Sequence, residues 1–248
     1  MKKRAIVVTI TNRKGGTAKT ETARAITSGL LRKGIKALAL DLEPQGNLTV
    51  AMGADASRSG CYELLNGANA ADLIQHTPQG DIIAASSLLY TADKIIGTPD
   101  ALRDILDDIH GYEYIIIDTA PSFNALTVAA MVAADGLLIP TQADLYSLSA
   151  MKELRDELDT LKAYNQGLKV LGVCITRYSN NRISRDMKAS LETIAQFIGS
   201  KVYRTAVREC VAIKESGATG KSIFEYAPRS NGAADYADIV AELLEDTY

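Results

Sequence analysis

The sequence predicts an α/β fold, a mostly parallel central sheet with helices on both faces, and two observations predict it. Short β-branched and apolar runs alternate along the chain with segments of helical periodicity, and several of the runs are apolar at every position. A strand that is apolar on both faces must be covered on both, which in an alternating chain means helices on either side of a parallel sheet. The 248 residues, 47% of them hydrophobic, are read as one domain, 1–248, large enough to bury about 70–75% of its unfolded surface.

Ile6-Val7-Val8-Thr9-Ile10 is the first strand. It leads through a Gly-rich turn into a helix from about Thr20, whose apolar face recurs at Ala23, Ile26, Thr27, Leu30 and Leu31. Gly34 stands where that helix wants a C-cap. Ala37-Leu38-Ala39-Leu40, Ile82-Ile83-Ala84 and Tyr114-Ile115-Ile116-Ile117 are the next strands. Gly136-Leu137-Leu138-Ile139 and Val170-Leu171-Gly172-Val173-Cys174-Ile175 follow, with a weaker strand near Val202. Residues 43–79 are the least regular stretch, read either as a lid or partner surface or as a merely variable excursion. In such sheets ligands bind at the carboxyl ends of the strands.

Composition excludes disorder, collagen-like repeats and a disulfide scaffold. A net charge of -3, from 27 Lys+Arg against 30 Asp+Glu, argues on average against nucleic acid, whose phosphates demand cations. The charge is segregated along the chain, however. Residues 169–231 hold 11 basic and 5 acidic side chains, or +6, which leaves 16 and 25, or -9, for the other 185. Cys61, Cys174 and Cys210 read as reduced thiols of a cytoplasmic protein, and with His76 and His110 beside them no zinc or cluster site is expected. The start Met1-Lys2-Lys3-Arg4 resembles a signal peptide only until Asn12-Arg13-Lys14 ends the apolar run. Residues 119–143 are nearly uncharged, but Pro121, Asn124, Asp135 and Pro140 interrupt them, so a buried helix and strand fit better than a membrane span.

Function concentrates in Asn12-Arg13-Lys14-Gly15-Gly16-Thr17-Ala18-Lys19-Thr20, between the first strand and the first helix. Phosphate binding needs small residues whose backbone N–H groups converge on oxygens, a Lys to reach the β- and γ-phosphates, and a hydroxyl for Mg²⁺. Gly15, Gly16, Lys19 and Thr20 supply these parts. The pattern G-x-x-x-x-G-K-[ST] is not strictly met, since Arg13 and Ala18 stand at its two glycine positions. A structural glycine turn is the competing reading; strand, loop, Lys-Thr and helix together outweigh it.

The segment Lys14-Gly15-Gly16-Thr17-Ala18-Lys19-Thr20 resembles the deviant Walker A motif K-G-G-x-[GA]-K-[ST], marked by an extra lysine at its start. Asp41-Leu42-Glu43-Pro44-Gln45-Gly46-Asn47 resembles the D-x-D-P-Q-G-N motif of the ParA family of DNA-partition ATPases. The likeness continues through Tyr114-Ile115-Ile116-Ile117-Asp118-Thr119-Ala120-Pro121-Ser122 and Ile139-Pro140-Thr141-Gln142, and reaches Gly220-Lys221-Ser222-Ile223-Phe224-Glu225-Tyr226-Ala227-Pro228-Arg229-Ser230-Asn231. It spans almost the whole chain and implies a P-loop NTPase fold. With the first strand beginning near residue 5, the short form without an N-terminal DNA-binding extension is expected.

The resemblance implies roles residue by residue. Two subunits sandwich two ATP molecules, and Lys14 of one reaches the phosphates held by the other, where a cation offsets charge building on the transferring phosphoryl group. A solvated lysine is the alternative. Lys19 holds the β- and γ-phosphates together with the backbone of Gly15, Gly16, Thr17 and Ala18, and Thr20 coordinates Mg²⁺. Asp41 and Asp118 orient Mg²⁺ through its waters, helix capping being the alternative for both. Glu43 stands where an Asp helps position the attacking water, so hydrolysis is expected to survive and to be slower. Glu21 stands where a hydroxyl faces the α-phosphate, an anion that lowers affinity unless it turns outward. Ala18 is tolerable there only with a negative φ. The adenine is expected between Thr176-Arg177 and Val207-Arg208.

The resemblance further implies sequence-independent binding of duplex DNA by the ATP-bound homodimer, and a ParB-like centromere-binding partner that stimulates hydrolysis on the nucleoid. Arg204, Arg208, Lys214, Lys221 and Arg229 are the expected DNA contacts, although Ala212 stands where many short members carry Arg. With no Trp and three Phe, stacking on unpaired bases gives way to backbone contact. A solvated basic face is the bland alternative. Three other functions stay in view. A ParA-like positioner of a non-DNA cargo has the same chemistry. A MinD-like membrane switch conflicts with the acidic end Ala241-Glu242-Leu243-Leu244-Glu245-Asp246-Thr247-Tyr248, which anionic lipid repels. A metabolic P-loop kinase would lack the counterpart of Lys14.

Overall fold

In this computed structural model residues 4–247 are described; Met1, Lys2 and Lys3, the head of the signal-like start, and Tyr248 lie outside the described residues. The elements run β1 (Ile6–Ile10), α1 (Lys19–Arg32), β2 (Ala37–Asp41), α2 (Asn47–Met52), α3 (Cys61–Leu65), α4 (Ala70–Leu73), β3 (Ile74–Thr77) and β4 (Gly80–Ile83). A 3-10 helix (Ser87–Lys94) precedes α5 (Ala101–Asp107), β5 (Tyr114–Asp118), α6 (Ala125–Ala133) and β6 (Gly136–Gln142). Then come α7 (Leu145–Leu161), β7 (Lys169–Thr176), α8 (Arg182–Phe197), α9 (Val211–Ala218), α10 (Ile223–Tyr226) and α11 (Asn231–Thr247).

Seven strands form one sheet in the order β3-β4-β2-β5-β1-β6-β7, parallel except for the β3–β4 pair. Alternate residues of each strand feed two cores. Val8, Ile10, Ala39, Ile116 and Leu138 pack under α1, α2, α10 and α11, while Val7, Leu38, Leu40, Ile115, Ile117 and Ile139 pack under α3 and α5 through α8. The doubly apolar strands are thus covered on both faces, as their composition requires.

Two strand expectations change. β3, with the sequence Ile74-Gln75-His76-Thr77, has no continuous apolar run; it is an antiparallel edge strand set by the Thr77↔Gly80 hairpin register. Near Val202 there is an isolated bridge to Val173 in place of a strand. The irregular stretch 43–79 contains α2, α3, α4 and β3, and the Gln79 amide pins its end by donating to the Ala51 and Gly220 carbonyls at 2.7 and 2.9 Å. Gly34 follows α1 at φ 77°, while Leu31, expected on the inner face, is 45% exposed.

The register positions the site. β1 lies between β5 and β6 in the middle of the sheet, so the chain leaving its carboxyl end enters the crevice where strand order reverses. Asp41 and Asp118 end β2 and β5 opposite each other. Pro140 sits inside β6 without breaking it, because β1 pairing ends at Leu138 and the Pro140 carbonyl accepts from the Asn12 side chain at 2.8 Å.

Candidate nucleotide site

The loop after β1 is shaped by its own side chains before any ligand enters. Asn12 accepts from the Lys14 amide at 2.9 Å while its NH₂ holds β6, and the Gly16 and Thr17 carbonyls accept from Gln142 at 2.9 Å and Thr176 at 3.0 Å. Gly16 turns the chain at φ 74°. Ala18, expected at negative φ, instead lies at φ 64°, ψ 33° as the N-cap of α1. A left-handed residue with a Cβ costs about 1–2 kcal/mol, a strain that ligand clamps commonly hold.

Around this loop lies a cavity of about 500 Å³. Gly15, Gly16, Thr17, Ala18, Lys19, Thr20 and Glu21 form one wall, and Glu43 and Thr119 stand at the strand ends. Thr176, Arg177, Val207 and Arg208 form the far end, drawn together by the Tyr178↔Arg208 bridge. The structure therefore gathers every nucleotide residue expected from sequence except Lys14, Asp41 and Asp118 onto one lining, with the two carboxylates buried behind it.

Lys19 is 8% exposed, and its ammonium donates to the Asn12 carbonyl at 3.0 Å and the Lys14 carbonyl at 3.5 Å. Burial lowers its pKa, with Asp118 and Glu43 pulling the other way. Asp41 is a brace: its Oδ2 accepts from the Thr49 amide and hydroxyl, both at 2.8 Å, and its Oδ1 from the Glu43 amide at 3.2 Å. Asp118 differs. Among the described residues neither of its buried oxygens has a hydrogen bond of good geometry, and desolvation, then the charge of Asp41, raise its pKa, with the Thr20 hydroxyl and Lys19 offsetting part of this. Orphaned carboxylate oxygens at the phosphate end fit a hard cation or its waters, so Thr20 and Asp118 suit Mg²⁺ better than Asp41 does.

Glu21 does not turn out to solvent, the one arrangement in which it would spare the affinity. It folds onto Arg24, a cation 1% exposed, at 2.7 Å, and that guanidinium supplies the compensation solvent would have given. Thr176, 1% exposed, donates to the Thr17 and Thr141 carbonyls and so braces the loop, whereas Arg177 is exposed at φ 50°. Lys14 lies outside the cavity, ion-paired with Asp144 and 5.8 Å from the centre of the Tyr146 ring.

Residues 5–170 match the AAA domain family. The chromosome-partitioning ATPase Soj of Thermus thermophilus is 35% identical over 240 residues, covering 96% of this chain and 94% of that protein. The chain belongs to the ParA/Soj family of partitioning ATPases. It is accordingly a nucleotide-binding, ATP-hydrolysing enzyme. The sporulation initiation inhibitor protein Soj of Bacillus subtilis is 32% identical over 248 residues, 96% of this chain and 97% of its own. Among solved structures, cobyrinic acid a,c-diamide synthase from Mycobacterium smegmatis with bound ADP and magnesium superposes at TM-score 0.83 with 26% identity, covering 97% of this chain and 94% of that one. A neighbour named for different chemistry carries the fold, not the function.

In this ParA/Soj chain the cations expected to contact DNA are mostly paired with carboxylates, and Arg208 and Lys214 also line the nucleotide cavity. Arg204 is bound by Glu245 at 2.8 Å and Glu242 at 3.5 Å, and Arg208 by Asp235 at 2.6 Å. Lys214 meets Glu209 at 3.1 Å, and Lys221 meets Glu225 at 3.5 Å. The partners of Arg204 and Arg208 come from α11, beyond the basic segment, so the +6 counted over 169–231 is not a bare +6 in space. Of the five, Arg229 is exposed with no ion pair among the described residues. The start of α8 offers freer cations: Arg182 is 90% exposed and 3.9 Å from Asp186, and Arg185 bonds the Asn180 side chain.

Sequence reasoning missed Arg24, Thr49 and Asp144. Arg24 had a signal, being the one charge in the run Thr22-Ala23-Arg24-Ala25-Ile26-Thr27-Ser28-Gly29-Leu30-Leu31. Asp144 had another, since an Asp three residues before a Ser reads as an N-cap, and it does accept from the Ser147 amide at 2.9 Å.

Proposed function

We propose that this chain is a Mg²⁺-dependent partition ATPase, working as one domain over residues 1–248, whose ATP-bound form is a nucleotide-sandwich homodimer that binds duplex DNA without sequence preference. A ParB-like centromere-binding partner resets it by stimulating hydrolysis, on the nucleoid in the cytoplasm, in plasmid or chromosome segregation. The place of Lys14 carries this reading. It belongs to the phosphate loop, yet its ammonium lies outside that loop's own cavity, paired with Asp144, which supports a role toward the phosphates of a second subunit. The ADP and magnesium of the Mycobacterium smegmatis structure support the cofactor assignment.

The residues divide the work. The amides of the loop and Lys19, which exchanges its carbonyl partners for phosphate oxygens, bind and orient the triphosphate. Thr20 and Asp118 would hold Mg²⁺, which would supply positive charge against the triphosphate. Glu43, at the cavity wall, accepts a hydrogen bond from the attacking water and orients it. Lys14 of the partner chain adds positive charge as the bridging bond breaks.

Duplex contact falls to Arg182, Arg185 and Arg229, with Arg204, Arg208, Lys214 and Lys221 contributing where a phosphate displaces their carboxylates. That pairing also favours a second reading, the same ATPase positioning a non-DNA cargo. The last turns of α11 carry Glu242, Glu245 and Asp246, against a MinD-like lipid anchor, and among the described residues no helix is long and apolar enough to cross a membrane. DNA binding measured with ADP, ATP and a nonhydrolysable analogue at two salt concentrations tests the proposal. Binding that needs ATP and weakens steeply with salt is expected. An ATP-dependent dimer that ignores DNA would leave the other cargo, and loss of both ATP and salt dependence would remove the partition reading.

A further inference from the structure

Half-buried Glu21 and buried Arg24 form a pair that phosphate binding does not require. Arg24 lies one turn along α1, where its guanidinium donates to Glu21 Oε1 at 2.7 Å, Ser216 Oγ at 2.6 Å, the Lys221 carbonyl at 2.9 Å and the Ile213 carbonyl at 3.5 Å. Four acceptors fix the cation, and the cation fixes Glu21. Glu21 lines the cavity two residues after Lys19, gives one oxygen to Arg24 and makes no hydrogen bond with the other among the described residues. Tyr236, 1% exposed and 3.4 Å from the Thr22 hydroxyl, closes the floor beside it.

What meets this free oxygen follows from the order of groups along a nucleotide. The phosphates belong over residues 15–20 and the base between the loops at 176–177 and 207–208, so the stretch over Glu21 takes the α-phosphate and the sugar. A phosphate repels a carboxylate, which binds instead to neutral donors. The exocyclic amino group of adenine lies at the base end, so the donors within reach are the ribose hydroxyls. Carboxylates recognise ribose 2′-hydroxyls in dinucleotide-binding folds by the same complementarity.

We propose that Glu21 is a specificity-determining residue that accepts a hydrogen bond from a ribose hydroxyl of the bound nucleotide, with Arg24 as its positioning residue, so that the site selects ribonucleotides over deoxyribonucleotides. The proposal rests on the nucleotide site described above. It also gives a reason for an anion beside phosphates: the hydroxyl bond and the Arg24 pair together offset the repulsion.

The test is calorimetric titration of the full chain, in Mg²⁺, with ADP, 2′-deoxyADP and 3′-deoxyADP. The wild-type chain is expected to bind ADP about 10–100-fold more tightly than at least one deoxy form, the usual effect of a bond to a charged acceptor. Glu21→Thr brings the ratio to within about 2-fold, because ADP loses the bond that set it apart from the deoxy forms. Because that variant leaves Arg24 unpaired, Glu21→Thr with Arg24→Val, which removes both members of the pair, is measured beside it and is expected to lose the preference equally. Equal binding of all three nucleotides by the wild-type chain, or an undiminished ratio in the double variant, overturns the proposal. No binding of any of the three overturns the ATPase reading as well, which keeps the two failures distinct.

Discussion

Asp118 and Asp41 are paired across neighbouring strands and both are 0% exposed, so full ionisation sets two like charges side by side with little solvent to separate them. Asp41 has three donors to hold its charge and Asp118 has none of good geometry. Asp118→Asn removes the less supported charge. Burial, then Asp41, raise the folded-state carboxyl of Asp118, so the folded chain keeps a proton that the unfolded chain has released. Stability of the apo protein therefore falls as pH rises, from the ordinary carboxylate value of about 4 up to the raised folded value. One such proton is worth about 1.4 kcal/mol per pH unit, or about 3 kcal/mol over two units. The buried amide of the variant, itself short of partners, takes back about 1 kcal/mol. Asp118→Asn is expected to be the more stable chain at pH 8 by at least about 2 kcal/mol and slightly the less stable at pH 4, a crossing that urea unfolding in EDTA reads directly. Magnesium with ADP should narrow the gap at pH 8 by stabilising the wild-type fold alone, and the variant should lose Mg²⁺-dependent turnover. Parallel pH profiles for the two chains would refute the reasoning.

Further outcomes follow from the same geometry. Ala18→Gly relieves a left-handed residue and should raise stability by about 0.5–1 kcal/mol in thermal or urea unfolding, net of glycine's extra chain entropy. Arg24→Met strands Glu21 in the wall and should cost about 3–5 kcal/mol, most of it recovered when Glu21→Thr is added. Arg182→Ala and Arg185→Ala should each lower the slope of log affinity for DNA against log salt by about 1, whereas Arg204→Ala, whose partner is Glu245, should change it less. Lys14→Ala should lower ATP turnover and weaken the ATP dimer with folding intact, and Glu43→Asp should raise turnover; unchanged turnover in the first, or a fall in the second, would remove the role assigned to that residue.

Legibility in the sequence divides along the range of the interactions involved. Ile115, Ile116 and Ile117 announce a strand covered on both faces because each neighbour along the chain carries the same message, and β5 is that strand. The polar, mixed run of β3 carries no such message, since its partner β4 and the hairpin register place it. The loop residues 15–20 were legible as a set because their spacing along the chain is the spacing of the chemistry. Ala18 was not, since the curl of the whole loop, braced from β6 and β7 through Gln142 and Thr176, decides its φ and overrides its local preference.

Charge shows the limit most clearly. Counting residues 169–231 assumes that neighbours in sequence are neighbours in space, and a parallel α/β fold violates that assumption at its C-terminus. There α11 returns along the sheet and brings Asp235, Glu242, Glu245 and Asp246 against Arg208, Arg204 and Lys201. The basic segment is thereby largely neutralised by acids that the count had assigned to the rest of the chain. Two of the cations left exposed, Arg182 and Arg185, begin a helix whose preceding loop closes the nucleotide cavity at Arg177. If the partition reading holds, a DNA surface continuous with the rim of the nucleotide site responds to what that site holds, as a diffuse basic face could not. Duplex affinity in this chain should therefore follow the nucleotide more closely than it follows net charge.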